Sequence, residues 1–117
     1  MNTREVGKLG ENIAKSFLKK EGYKIIEENF WCRYGEIDII AKEEEYIVFI
    51  EVKLTTNNSF INPQEKVDYT KRKHLIKVAR YYLSKHQKEF NFRFDVVAIC
   101  NYKHNREVNL IRNAFFI

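Results

Sequence analysis

The sequence predicts a three-layer α/β domain, a mixed sheet of about five strands flanked by helices. Three observations predict it. Residues 3–21 and 62–88 carry apolar side chains at helical spacing, and five shorter runs are rich in β-branched and aromatic residues. These segments alternate in the order α β β β α β β, which suits helices laid on the two faces of one sheet. The chain has 117 residues, 44% hydrophobic and 32% charged, enough for one core without disulfides or structural metal. One domain over residues 1–117 is expected, and a disordered tail or fibre is excluded.

Asn2-Thr3-Arg4-Glu5 reads as a helix cap with a glutamate three residues on, so each side chain satisfies an orphan N–H. Val6, Leu9, Ile13, Ala14, Phe17 and Leu18 follow at helical spacing, and Gly22 is placed to end the helix near Glu21. Tyr23 to Glu28 is a short strand. Glu36 to Ala41 and Tyr46 to Lys53 form a hairpin across the polar spacer Lys42-Glu43-Glu44-Glu45. A loop covers Leu54 to Ile61. Asn62-Pro63-Gln64-Glu65 then combines a cap, a proline at the first helical position and a glutamate, starting a helix that ends near Lys88. Phe92 to Ile99 and Glu107 to Ile111 complete the strands.

No apolar run approaches the ~20 residues of a membrane span. The N-terminus lacks the apolar region of a signal peptide, so a cytoplasmic location and no membrane contact are the expectation. Cys32 and Cys100 are isolated, with no histidine at zinc-ligand spacing, which argues against zinc. Charge is unevenly spread: residues 1–53 hold nine Lys/Arg against eleven Asp/Glu, and residues 54–117 twelve against five. Eight basic residues lie between 66 and 88, opposed by Asp68 alone. Such a stripe suits a nucleic-acid partner, and equally a solvated helix face.

The informative segment is Glu36 to Lys53. Strand alternation puts Glu51 and Lys53 on one face with Ile47 and Phe49, and Val48, Ile50 and Val52 on the other. Asp38 interrupts an apolar strand between Ile37 and Ile39. A turn around Glu43 and Glu44 would set Asp38 opposite about Phe49, diagonal to Glu51. Two carboxylates brought together repel unless a cation lies between them, and Mg²⁺ suits such oxygen donors. A metal there can polarise a phosphate oxygen, and a nearby lysine can orient water or stabilise growing charge. Spacing alone fits an exposed charged sheet face as well.

Asp38, twelve residues, then Glu51-Val52-Lys53 resembles the PD-(D/E)xK nuclease signature. Gly10-Glu11, Gly35 to Ala41, Phe49 to Lys53 and Arg93 to Val97 together resemble the YraN family of small bacterial proteins, from Gly7 to about Ile99. The resemblance implies a restriction endonuclease-like fold and a Mg²⁺- or Mn²⁺-dependent endonuclease acting on DNA, with branched or structured DNA as a candidate substrate. It implies that Asp38 and Glu51 bind metal, that Glu11 completes the acidic cluster, and that Lys53 is the catalytic lysine. On the helical wheel Glu11 lies at the margin of the apolar stripe, where it can look toward the sheet, and Gly7 and Gly10 permit close backbone approach. Glu36 is a further ligand or an outer support. Where the family commonly has an arginine after E-V-K, this chain has Leu54-Thr55-Thr56.

In the second helix Leu75, Val78, Ala79 and Tyr82 share a face, opposite Lys73, Lys77, Arg80 and Lys88. Lys66, Lys71 and Arg72 lie nearer the loop after Lys53 and are the better candidates for nucleic-acid contact. Arg33, with Phe30, Trp31 and Tyr34, could stack on unpaired bases or pack at the sheet edge. A homodimer would give two active sites for two strands, and Phe115-Phe116-Ile117 could serve as contact surface or cover the core. The alternative function is a non-catalytic nucleic-acid-binding protein that retains the nuclease fold.

Overall fold

The computed structural model describes residues 3–55, 69–86 and 91–115. The elements are α1 (Thr3–Lys20), β1 (Lys24–Cys32), β2 (Gly35–Glu43), β3 (Tyr46–Thr55), α2 (Tyr69–Ser84), β4 (Asn91–Tyr102) and β5 (Asn105–Phe115). The expected start of the second helix at Asn62, its end at Lys88, and Phe116 and Ile117 lie outside the described residues.

The five strands form one sheet in chain order. Neighbours are antiparallel except β3 and β4, which run parallel from Tyr46↔Asn91 to Thr55↔Cys100. A parallel pair needs a crossover, and α2 lies between β3 and β4 in the chain. The helices take opposite faces. Beneath α1 lie Ile39, Ala41, Val48, Ile50, Val97 and Ile99, joined by Ala14, Leu18 and Tyr23. Beneath α2 lie Ile37, Ile40, Phe49, Phe94 and Val96, joined by Leu75, Val78, Ala79 and Tyr82. Covered on both sides, β3 is buried without interruption from Ile47 to Glu51. This is the expected three-layer, restriction endonuclease-like arrangement with a mixed sheet.

Helix α1 stops where the sequence predicts. Gly22 takes φ +93°, its N–H donates to the Lys19 carbonyl (3.2 Å), and the Tyr23 N–H donates to the Leu18 carbonyl (2.9 Å). That pair of bonds satisfies carbonyls the helix end would orphan, and Tyr23 and Leu18 meet in the core. Gly10 and Gly7 differ from each other. A Cβ on Gly10 would come within 3.3 Å of the Leu54 Cβ, so its absence lets α1 sit close over β3; Gly7 is exposed, with nothing among the described residues within 4 Å of such an atom.

The strands run longer than their β-branched cores suggest. β1 continues through Phe30 and Trp31 to Cys32, placing those two aromatics of the cluster inside a strand and leaving Arg33 and Tyr34 in the turn that follows. β5 continues to Phe115, which is buried and stacks on Phe94 at 4.6 Å, so this part of the aromatic C-terminus covers the core.

Candidate active site

The site is built where β2 and β3 part. Of the spacer Lys42 to Glu45, only Glu44-Glu45 form the turn, with Glu44 at φ 53°; Lys42 and Glu43 pair with Ile47 and Tyr46. The register is therefore two residues from the one the longer spacer suggests. Ile40, not Asp38, faces Phe49, and the ladder closes at Ile39↔Ile50. One residue beyond, the Asp38 Oδ2 accepts the backbone N–H of Val52 at 2.8 Å. A side chain thus takes an acceptor position in the sheet, joining strands whose main chains have begun to separate.

Alternation also breaks at Asp38: Ile37 and Ile40 pack under α2, and Ile39 and Ala41 under α1. On β1, Phe30↔Ile37 and Glu28↔Ile39 flank the same level, where Asn29 adopts φ 53°. Asparagine is among the side chains that tolerate this left-handed region. The irregularity in both strands keeps the register while turning the faces, and it leaves Asp38 between the two helical layers.

On the α1 side, carboxylate oxygens of Glu11, Glu36 and Asp38 lie within 4.8 Å of one another. Asn29 Nδ2 donates to Glu11 Oε2 at 3.1 Å, fixing the helix glutamate against β1. On the α2 side, buried Glu51 accepts Lys71 Nζ at 2.6 Å and Lys53 Nζ at 3.4 Å. Burial pushes the Asp38 carboxyl up to about 7; the charges of Glu51 and Glu11 add to this, and the Val52 N–H opposes it. Burial, and next the neighbouring Lys71, lower the Lys53 ammonium from its ordinary value despite Glu51. Burial also works against the charge on Lys71, but bonding to Glu51 and Lys53 together with the charges of Glu51 and Asp38 outweighs it, and the net shift is upward.

Three carboxylates from α1 and β2 are hard oxygen donors at a separation suited to Mg²⁺ or Mn²⁺, and a cation would relieve the repulsion that adds to burial in raising Asp38. The donor set fits such an ion. Glu36, only a minor candidate in the sequence, belongs to this group, whereas Glu51 turns its carboxylate to lysines.

The basic candidates separate. Lys71 reaches the site through Glu51. The Arg72 guanidinium lies over the Phe115 ring, 5.4 Å from its centroid. Arg33 is exposed at the β1–β2 turn, where Nη2 donates to the Tyr34 hydroxyl at 2.7 Å. Lys66 lies outside the described residues. Asn29 was missed by sequence reasoning; its place opposite Asp38 becomes readable only once the hairpin register is known. Arg93 and Asp95 carry part of the family resemblance, and they form a buried ion pair with Tyr23 and Glu43 in the α1 layer.

These features define a class: an α/β/α protein of restriction endonuclease-like fold, with an acidic cluster able to hold a metal at the parted ends of β2 and β3. Uncharacterised protein family UPF0102 matches residues 10–99. A UPF0102 protein of Caldicellulosiruptor bescii is 49% identical, covering 98% of this chain and all of the relative. Those of Thermodesulfovibrio yellowstonii (47%, 96% of each chain) and Clostridium kluyveri (46%, 97% of this chain and 96% of the relative) are similar over the same extent. The chain belongs to UPF0102, the YraN family whose sequence blocks it carries.

Proposed function

We propose that this protein is a metal-dependent endonuclease that hydrolyses phosphodiester bonds of DNA, branched or structured DNA included. The observation that carries the reading is the position of Asp38. It is tied to Val52 and set between the Glu11–Glu36 carboxylates and the Glu51–Lys53–Lys71 ion cluster. Acid and base groups of one site meet there from three elements, α1, the β2–β3 pair and α2.

Glu11, Glu36 and Asp38 would hold Mg²⁺ or Mn²⁺, with Glu51 at the adjoining position. The bound ion supplies Lewis acidity to a phosphate oxygen and acidifies a water. Lys53, its ammonium destabilised by burial, is suited to orient the attacking water and exchange a proton with it. Lys71 brings a positive charge to the α2 wall, where a phosphate can bind.

The test is cleavage of end-labelled single-stranded, duplex, flap and four-way-junction DNA by purified protein, with Mg²⁺ or Mn²⁺ against EDTA. Cutting that needs metal and is lost in Asp38→Ala and Glu51→Ala is expected. Salt-sensitive DNA binding without cutting of any of these would replace the reading with that of a non-catalytic binding protein.

A further inference from the structure

Trp31 is 73% exposed, although it lies within strand β1 rather than in a loop. Its cross-strand partner is Glu36, one of the three clustered carboxylates. Opposed residues have Cβ atoms roughly 5 Å apart on the same face, so the indole stands directly beside the acidic cluster. The opposite face of this hairpin is braced. Phe30 meets Tyr82 edge-on at 5.2 Å, Tyr81 contacts both Phe30 (6.3 Å) and Tyr34 (6.2 Å), and Cys32 is buried under α2. The indole is therefore presented on a fixed strand, with its ring left in water. Its partner Glu36 also lines a cleft of about 630 Å³ between α1 and the β1–β2 strands. Its floor holds Glu11 and Glu36, and Arg4 and Lys8, one helical turn apart, line it from the first turns of α1. An exposed flat apolar ring paired with Glu36, whose carboxylate shares a cleft with Arg4 and Lys8, suits a ligand with alternating aromatic and anionic groups.

We propose that Trp31 is the stacking site for an unpaired nucleobase next to the phosphate to be cut, and that Arg4 and Lys8 contact the phosphates of that strand. The preferred substrate is then DNA with unpaired bases at the cut, a single strand, flap or fork, rather than continuous duplex, whose bases are already stacked on one another. The inference rests on the nuclease reading for its substrate and on Trp31 itself for its geometry.

Trp31 is the chain's single tryptophan, so its emission reports on this position alone. The full chain would be titrated with single-stranded, flap and blunt duplex oligonucleotides, in EDTA and again in Ca²⁺, following tryptophan emission and the anisotropy of end-labelled DNA together. Quenching by single-stranded and flap DNA, little by blunt duplex, is expected. Trp31→Ala should bind flap DNA roughly tenfold more weakly and blunt duplex as before, while Trp31→Phe stays near wild type. Binding that leaves emission unchanged, or a Trp31→Ala variant that holds flap DNA as tightly as wild type, would overturn the stacking role and leave the nuclease reading standing. Quenching by unpaired DNA without metal-dependent cutting would do the reverse, keeping the base-stacking site and removing the nuclease.

Discussion

The Asp38 carboxylate accepts the backbone N–H of Val52 at 2.8 Å, one residue beyond the last ladder pair of β2 and β3. The bond serves two purposes. It occupies a main-chain donor where the strands part, and it fixes the acid in the gap so that its other oxygen can face the cluster. An alanine there loses both, whereas an asparagine can keep the carbonyl acceptor and remove only the charge. Comparing Asp38→Asn with Asp38→Ala therefore separates chemistry from architecture. Both should lose cleavage, and only Asp38→Ala should leave the Val52 N–H without its protein acceptor, at a cost of about 1–3 kcal/mol.

The same carboxyl makes metal-free stability depend on pH. Its folded value, about 7, lies above its ordinary 3.8, because burial and the nearby glutamates disfavour the anion. The folded state thus binds this proton more tightly than the unfolded chain. Its contribution to stability is whole below about pH 4 and is lost as pH rises through 7. Thermal melts in EDTA should show wild type losing stability relative to Asp38→Asn across that window. Parallel curves for the two proteins would mean that Asp38 titrates as an ordinary carboxylate. Mg²⁺ should remove most of the difference at pH 8, because a bound cation favours the anion.

Much of this architecture can be read from local signals. The Gly22 stop of α1, the two faces of β3 and the buried stripe of α2 each depend on a few neighbouring residues. The register of β2 on β3 is less accessible, because it turns on whether Lys42 and Glu43 pair or loop, and lysine and glutamate suit either. The change of faces at Asp38 depends on an asparagine adopting φ 53° in the adjoining strand, which no periodicity signals. Asp95 was visible as part of a family block, but its role was not, since Tyr23 lies 72 residues away in the chain.

Lys53 and Lys71 both contact Glu51, yet they should differ in effect. Lys53→Ala should lower turnover about 100-fold or more while DNA affinity changes little, as for a group that acts in the transition state. Lys71→Ala should weaken DNA binding and lower the salt dependence of affinity by about one unit, the mark of a lost phosphate contact. Cleavage rates and binding isotherms at several salt concentrations would separate them. A Lys53→Ala protein with wild-type turnover would remove Lys53 from the chemistry.

Asn29 combines a left-handed backbone with a side-chain bond to Glu11, and two substitutions divide these roles. Asn29→Gly keeps the backbone at ease and removes the bond. Stability should change by less than about 1 kcal/mol, whereas affinity for Mg²⁺, read by calorimetry, should fall because Glu11 is no longer held. Asn29→Ala loses the bond and also strains a residue at positive φ, adding about 1 kcal/mol of destabilisation. Equal stability of the two variants would argue against strain at this position. Unchanged Mg²⁺ affinity in both would remove the bond's role in positioning Glu11.

Asp95 shows why a charged pair in a family block need not be catalytic. It is 1% exposed and accepts the Tyr23 hydroxyl at 2.7 Å, Arg93 Nε at 3.0 Å and the Asn113 N–H at 3.1 Å. Arg93 also bonds Glu43 at 2.5 Å, and Glu43 accepts Arg112 at 3.0 Å, so the network ties the start of β4 to the end of β2, to β5 and to the residues after α1. In a buried network, removing one charge costs more than the pair contributes, because the partner is left without compensation. Asp95→Ala takes the acceptor from the Tyr23 hydroxyl, Arg93 Nε and the Asn113 N–H, while Arg93 keeps Glu43 as a carboxylate partner, and should cost about 3–5 kcal/mol in urea unfolding. Tyr23→Phe removes the bond its hydroxyl donates to Asp95 and the one it accepts from Arg93 Nη2 at 2.9 Å, and should cost about 1.5–3 kcal/mol. Below the urea transition, cleavage per folded molecule should match wild type for Tyr23→Phe. A folded Asp95→Ala protein that has lost cleavage outright would move Asp95 from the scaffold into the site, whereas a loss confined to the unfolded fraction would leave it in the scaffold.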